Sequence, residues 1–92
     1  METKHFKLTE TTKVVNGITL FQIQALQDLP WHDVKKGDLG GWIEKEENLS
    51  GNAWVSGNAR VFGNARISGN ALVYGSAQVS GNIHVYGSAI IC

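Results

Sequence analysis

A β-branched aliphatic recurs at every sixth position from Val55 to Ile91: Val55, Val61, Ile67, Val73, Val79, Val85 and Ile91. Two residues before each stands a small side chain, Ala53, Ala59, Ala65, Ala71, Ala77 and Ala89, replaced once by Ile83. Residues two apart on a strand share a face, so these two rows point to one side, the interior. β-branched residues suit a pleated, half-buried surface. The remaining strand positions point outward. Each phrase opens on Gly-Asn or Gly-Ser, which tolerate left-handed or turn backbone. The pattern predicts a short strand and a corner in each of seven hexads, GNAWVS, GNARVF, GNARIS, GNALVY, GSAQVS, GNIHVY and GSAIIC, over residues 51–92. The frame runs backwards through residues 45–50, with Leu49 at the aliphatic position, and 39–44, with Ile43 there and Gly41 at the small one. Glu47 falls on an interior position, so the corner of the 45–50 hexad is expected to be distorted. Nine hexads at three per coil make three coils. A flat meander gives no reason for a fixed spacing, and a disordered tract gives none for regular aliphatics.

A three-sided coil stacks residues eighteen apart, about 4.8 Å from one another. Outward residues then sort into three faces. The first carries Trp42, Glu44, Arg60, Phe62, Gln78 and Ser80; the second Asn48, Ser50, Arg66, Ser68, His84 and Tyr86. The third carries Trp54, Leu72 and Ile90 as an apolar ladder with Tyr74 beside it, and Ser56 and Cys92. An exposed apolar patch marks an interface, so Trp54, Leu72, Tyr74 and Ile90 are expected to join subunits. The alternative is cover by the chain's own N-terminal segment. The closing Ile90-Ile91-Cys92 has no polar cap, and tail-to-tail contact between two trimers, a hexamer, would protect that edge. Before the repeats, Asn16-Gly17 separates two β-prone runs in residues 12–25 and signals a hairpin. Leu20, Ile23 and Leu26 break strict alternation, so the second strand is expected to bend or leave the sheet early. Residues 28–38, with Pro30 and Gly37 as breakers, read as a connecting loop. Two units result: residues 1–38, a hairpin and loop that cap the first coil, and residues 39–92, the repeat.

Ninety-two residues make one domain at most. The net charge is zero, which argues against a polyanion partner for the whole chain. Every carboxylate lies at or before Glu47, whereas Arg60, Arg66 and His84 follow it, so the repeats favour a compact anion. A single cysteine excludes an intrachain disulfide, and His5, His32 and His84 lack ligand spacing. No metal or cofactor is expected. No apolar run is long enough for a membrane span and METKHFKLTE lacks a signal-peptide core, so the expected compartment is the cytoplasm.

An aliphatic followed four positions later by a small residue (Val55 to Ala59, Val61 to Ala65) resembles the left-handed parallel β-helix of the hexapeptide-repeat family, over residues 39–92. The resemblance implies an all-β fold: a short left-handed parallel β-helix of about three coils with an N-terminal β-hairpin cap. The handedness comes from the resemblance alone, since ordinary crossovers are right-handed. It also implies trimers with parallel axes. Many such proteins are acyltransferases that use a histidine general base between subunits. His84 is the only histidine on the coils, but the repeats hold no insertion for an acyl donor and no acid to orient it. Catalysis is therefore not expected. The phrase KKGDLGGWIEKEENLSGNA is similar to the leading segment of small prophage-encoded hexapeptide-repeat proteins, which implies a phage source and the host cytoplasm. In a trimer packed through the third face, Trp42, Arg60 and Phe62 of one subunit approach Arg66, His84 and Tyr86 of its neighbour. Arginines bind phosphate through charge-assisted contacts and aromatic rings stack on bases. The charge is too sparse for duplex nucleic acid. The chain resembles phage sponges that sequester host nucleotide immune signals without cleaving them. The rival expectations are a structural trimer of a phage or polymer-forming protein, and a minimal acyltransferase.

Overall fold

Each hexad turns its corner on a glycine with positive φ, from 62° at Gly51 to 75° at Gly81, a region that favours glycine. Between corners only a dipeptide is left to pair, and it does so with the dipeptide eighteen residues away. The computed structural model describes residues 5–92, and of Trp31 only the backbone; the first four residues of the expected cap lie outside the described residues. Strands β1 (Phe6–Val15) and β2 (Ile18–Ala25) precede β3 (Leu39–Ile43), β4 (Trp54–Val55), β5 (Arg60–Val61), β6 (Arg66–Ile67), β7 (Leu72–Val73), β8 (Gln78–Val79), β9 (His84–Val85) and β10 (Ile90–Ile91). From β3 onward all pairing is parallel: Trp42 to Arg60 to Gln78, Trp54 to Leu72 to Ile90, and Arg66 to His84. A lone bridge from Leu49 to Ile67 extends the third set. The result is an all-β solenoid of parallel sheets.

The core is what the constant positions build. Val55, Val61, Ile67 and Val73 are fully buried, as are Ala53, Ala59 and Ala71. Only small side chains fit where the sheets converge. Each buried aliphatic contributes about 1.5–3 kcal/mol. Corner glycines stack on corner glycines. A Cβ on Gly57 (φ 65°) would make ordinary contact, 3.5 Å from the backbone of Gly75, whereas one on Gly69 (φ 67°) would lie 2.8 Å from N and O of Gly87. Nearly equal φ isolates the steric difference. Gly57→Ala is expected to lose about 1–2 kcal/mol from backbone strain, and Gly69→Ala measurably more, read as urea midpoints; equal midpoints would contradict the stacking.

Asn16 (φ 53°) and Gly17 (φ 83°) form the hairpin turn between β1 and β2, matching the primed turns that suit twisted strands. β1 starts earlier than the sequence pattern indicates, and its register shifts between Leu8 and Thr12. β2 then runs antiparallel to β3, Phe21 opposite Ile43 and Gln22 opposite Trp42, with a shift before Gln24 where it bends. The hairpin thus extends the first sheet, giving the order β1-β2-β3-β5-β8, and covers an edge that would otherwise be open.

Two outward assignments are corrected by the fold. Trp54 does not lead an exposed ladder: it is 1% exposed, inside the core cluster with Phe6, Leu29 and Val34. The N-terminal segment folds over it. His5 Nε2 donates to the Ala53 carbonyl at 2.6 Å, with its ring 6.5 Å from that of Trp54. His32, on the 3-10 turn Pro30–His32, donates from Nε2 to the Asn52 carbonyl at 3.1 Å. Burial holds the His32 imidazole below its ordinary pKa despite that hydrogen bond. Asn48 is the second correction. It was placed outward on the second face, but it is fully buried. Residues 45–50 lack the Gly-Asn opening, Lys45 takes an extended φ of −153°, and the corner is a 3-10 turn, Glu46–Asn48. That turn brings Glu47 out to solvent and Asn48 in.

Candidate functional site

The parallel register brings the predicted ligand residues together in two groups. On the first sheet Trp42 and Arg60 are partners across β3 and β5. Both are half-buried, as is Phe62 two positions on. The Arg60 Nε is buried and has no hydrogen-bond partner among the described residues. Above Trp42, Lys13 of β1 places its Nζ 4.1 Å from the ring centroid, a cation–π distance. On the other side of the solenoid, Arg66 and His84 are partners across β6 and β9. The His84 and Tyr86 rings meet edge to face at 5.6 Å. Arg66, His84 and Tyr86 are all exposed. The two groups lie in different sheets, so a single chain keeps them apart.

Beside Arg66 a cavity of about 160 Å³ opens at the distorted corner, lined by Lys45, Glu47, Asn64, Ala65 and Arg66. Its floor follows from Asn48, whose Oδ1 accepts from the backbone N–H groups of Glu44 and Lys45 and whose Nδ2 donates to the carbonyls of Gly63 and Ala65. The Glu44 carboxylate accepts from the Gly63 N–H at 2.8 Å, and is thereby committed to the corner. Lys45 Nζ donates to Asn64 Oδ1 at 3.4 Å, and Asn64 Nδ2 donates to Asn82 Oδ1 at 3.3 Å. Sequence reasoning missed Lys13, Lys45 and Asn64. The only signal for Lys45 was a cation standing where the repeat has glycine.

On the third face, Leu72 is half-buried while Tyr74 and Ile90 are exposed. Leu72 and Ile90 line a groove of about 270 Å³ with His32, Asn70 and Ser88. Three of the four expected interface residues thus reach the surface, and Trp54 does not. Among the described residues there is no cluster of three or more His, Cys, Asp or Glu that could hold a metal ion, and no helix long and apolar enough to cross a membrane.

A family model described as YdcK Beta solenoid repeat matches residues 53–66 and 65–81. No curated protein matches the chain by sequence. The matched stretch spans β4 to β8 and includes Arg60, Phe62, Arg66, Leu72 and Tyr74. With its six-residue period and its parallel pairing at eighteen, the chain is a β-solenoid repeat protein, similar over those residues to the YdcK repeat.

Proposed function

We propose that the chain is a non-enzymatic binding protein that holds a small anionic nucleotide in clefts between subunits and so sequesters it. The observation that carries this reading is Arg60: an arginine paired with Trp42 in the sheet register, with its Nε–H buried and unused. A buried donor without an acceptor costs about 1–3 kcal/mol, which an anion oxygen would recover once the guanidinium turns outward on binding. The repeats add Arg66 and carry no carboxylate after Glu47, so beyond that residue nothing on their outward rows repels an anion. Packing of Leu72, Tyr74 and Ile90 against neighbouring copies, in a trimer of left-handed three-coil helices, would bring the first sheet of one subunit to the second sheet of the next. That arrangement unites Trp42, Arg60 and Phe62 with Arg66, His84 and Tyr86. It fits the phage sponge resemblance, with action in the host cytoplasm.

Calorimetry against cyclic and linear nucleotides, paired with mass measurement in solution, tests the reading. A ligand binding at micromolar or tighter and recovered chemically unchanged is the expected result. Arg60→Ala and Arg66→Ala should each weaken binding by about tenfold or more, near 1.4 kcal/mol, with the oligomeric mass retained. An oligomer that binds no nucleotide would overturn sequestration and leave an assembly role. Consumption of the ligand would overturn the non-enzymatic assignment.

A further inference from the structure

We infer that the corner cavity bounded by Lys45, Glu47, Asn64 and Arg66 is a binding site for one phosphoryl group. The inference rests on the anion-binding reading for its ligand class only; the geometry is independent of it. Stacking at eighteen places residue 48 next to Arg66, as the Leu49–Ile67 bridge beside it shows. In a regular ladder the side chain at 48 would lie over Arg66. Asn48 is instead turned into the corner and fully occupied by four backbone groups. Beside Arg66, where no ladder side chain stands, lies the cavity, about 160 Å³. That is well above the space one water needs, about 10–15 Å³, and it admits a phosphate.

The charges suit that occupant. Lys45 and Arg66 bring two cations, and the Asn64 oxygen holds the Lys45 amine at the rim. Three carboxylates are near, of which Glu46 is exposed on the 3-10 turn and does not line the cavity. Glu44 is bound to the Gly63 N–H and takes no part. Glu47 lines the cavity, but it is exposed on the 3-10 turn and can give way to a ligand oxygen. Glu47 and phosphate therefore compete for the same cations.

The test is a titration of the whole chain with inorganic phosphate, followed by amide chemical shifts, with ionic strength held constant by chloride. Saturable shifts confined to residues 44–48 and 63–66 are expected. Lys45→Ala and Arg66→Ala should each raise the Kd about tenfold, Arg66→Lys should retain most of the affinity, and Glu47→Gln should tighten binding about threefold. These side chains lie at the surface, so variant spectra should superimpose on the parent away from the corner. Shifts spread over the whole surface, or alanine variants that bind phosphate like the parent, overturn the site. A parallel nucleotide titration separates the two proposals. A Lys45→Ala chain that loses phosphate at the corner but keeps nucleotide supports the corner as a site of its own and leaves the Arg60 cleft standing. Phosphate saturating the corner while no nucleotide binds supports the corner site and overturns sequestration.

Discussion

Trp54→Ala is expected to destabilise the folded chain itself by about 3–5 kcal/mol, the range for emptying a large aromatic site. For a domain of this size each kcal/mol moves the melting temperature by about 4–8 °C, so the transition should fall by well over ten degrees. The indole is 1% exposed and sits in the one cluster that joins the hairpin, the loop and the solenoid. It lies so close to the backbone of β3 that a Cβ on Gly40 would be 2.7 Å from its Cζ2. Nothing can collapse into the space it leaves without moving β3 or the loop. The contrast is Ile90→Ala, whose side chain is 64% exposed and buries little within one chain; its loss should leave monomer stability nearly unchanged. Thermal unfolding of both variants at equal concentration decides the matter. A Trp54→Ala chain that melts within about 5 °C of the parent would mean that the N-terminal segment does not cover the indole in solution.

What the repeat could reveal was anything set by a period. Corner glycines, parallel pairing, the inside positions as far as Val79 and the adjacency of Trp42 with Arg60 and of Arg66 with His84 all follow from six and eighteen, whereas Ile83, read as interior, is 54% exposed where the other hexads have alanine. Trp54 follows that grammar as an outward residue too. Its burial is decided by a segment that has no repeat, anchored by His5 and His32 on the Ala53 and Asn52 carbonyls. Periodicity carries no information about such a segment, so the apolar ladder read as an interface at all three levels when only the lower two are open. The same limit hid Lys13, which reaches Trp42 only because β2 brings β1 alongside the first sheet. Asn48 failed for a different reason. Parity is kept through residues 51–80, where a positive-φ glycine turns each corner, as at Gly51 (φ 62°), and Lys45 cannot do so at φ −153°. The misplaced Glu47 was the visible sign that this corner is built another way. The cavity beside Arg66 was hidden by the same substitution.

That corner is also where a single polar side chain has most to hold. Asn48→Ala is expected to lose about 2–5 kcal/mol, since it strips a partner from the Lys45 N–H and from the Gly63 and Ala65 carbonyls, while the Glu44 N–H keeps the Val61 carbonyl, each buried group left unsatisfied costing about 1–3 kcal/mol. Urea unfolding reads the loss directly, and a value under about 1 kcal/mol would show that water replaces the amide. Asn48→Asp sharpens the test. It keeps an acceptor for the Glu44 and Lys45 N–H groups but turns an oxygen toward the Gly63 and Ala65 carbonyls, the latter 2.8 Å from the present Nδ2. Burial and those carbonyls favour the protonated acid, so its folded pKa should lie above the ordinary aspartate value of about 3.9. The folded state of this variant then binds the proton more tightly than the unfolded one. Its deficit relative to the parent should be largest at neutral pH and should shrink as pH falls through the raised pKa, because the neutral acid can donate to the Ala65 carbonyl. A deficit that stays constant from pH 7 to about pH 4 would mean that the residue at 48 is solvated, and the corner would lose both its keystone and the cavity that depends on it.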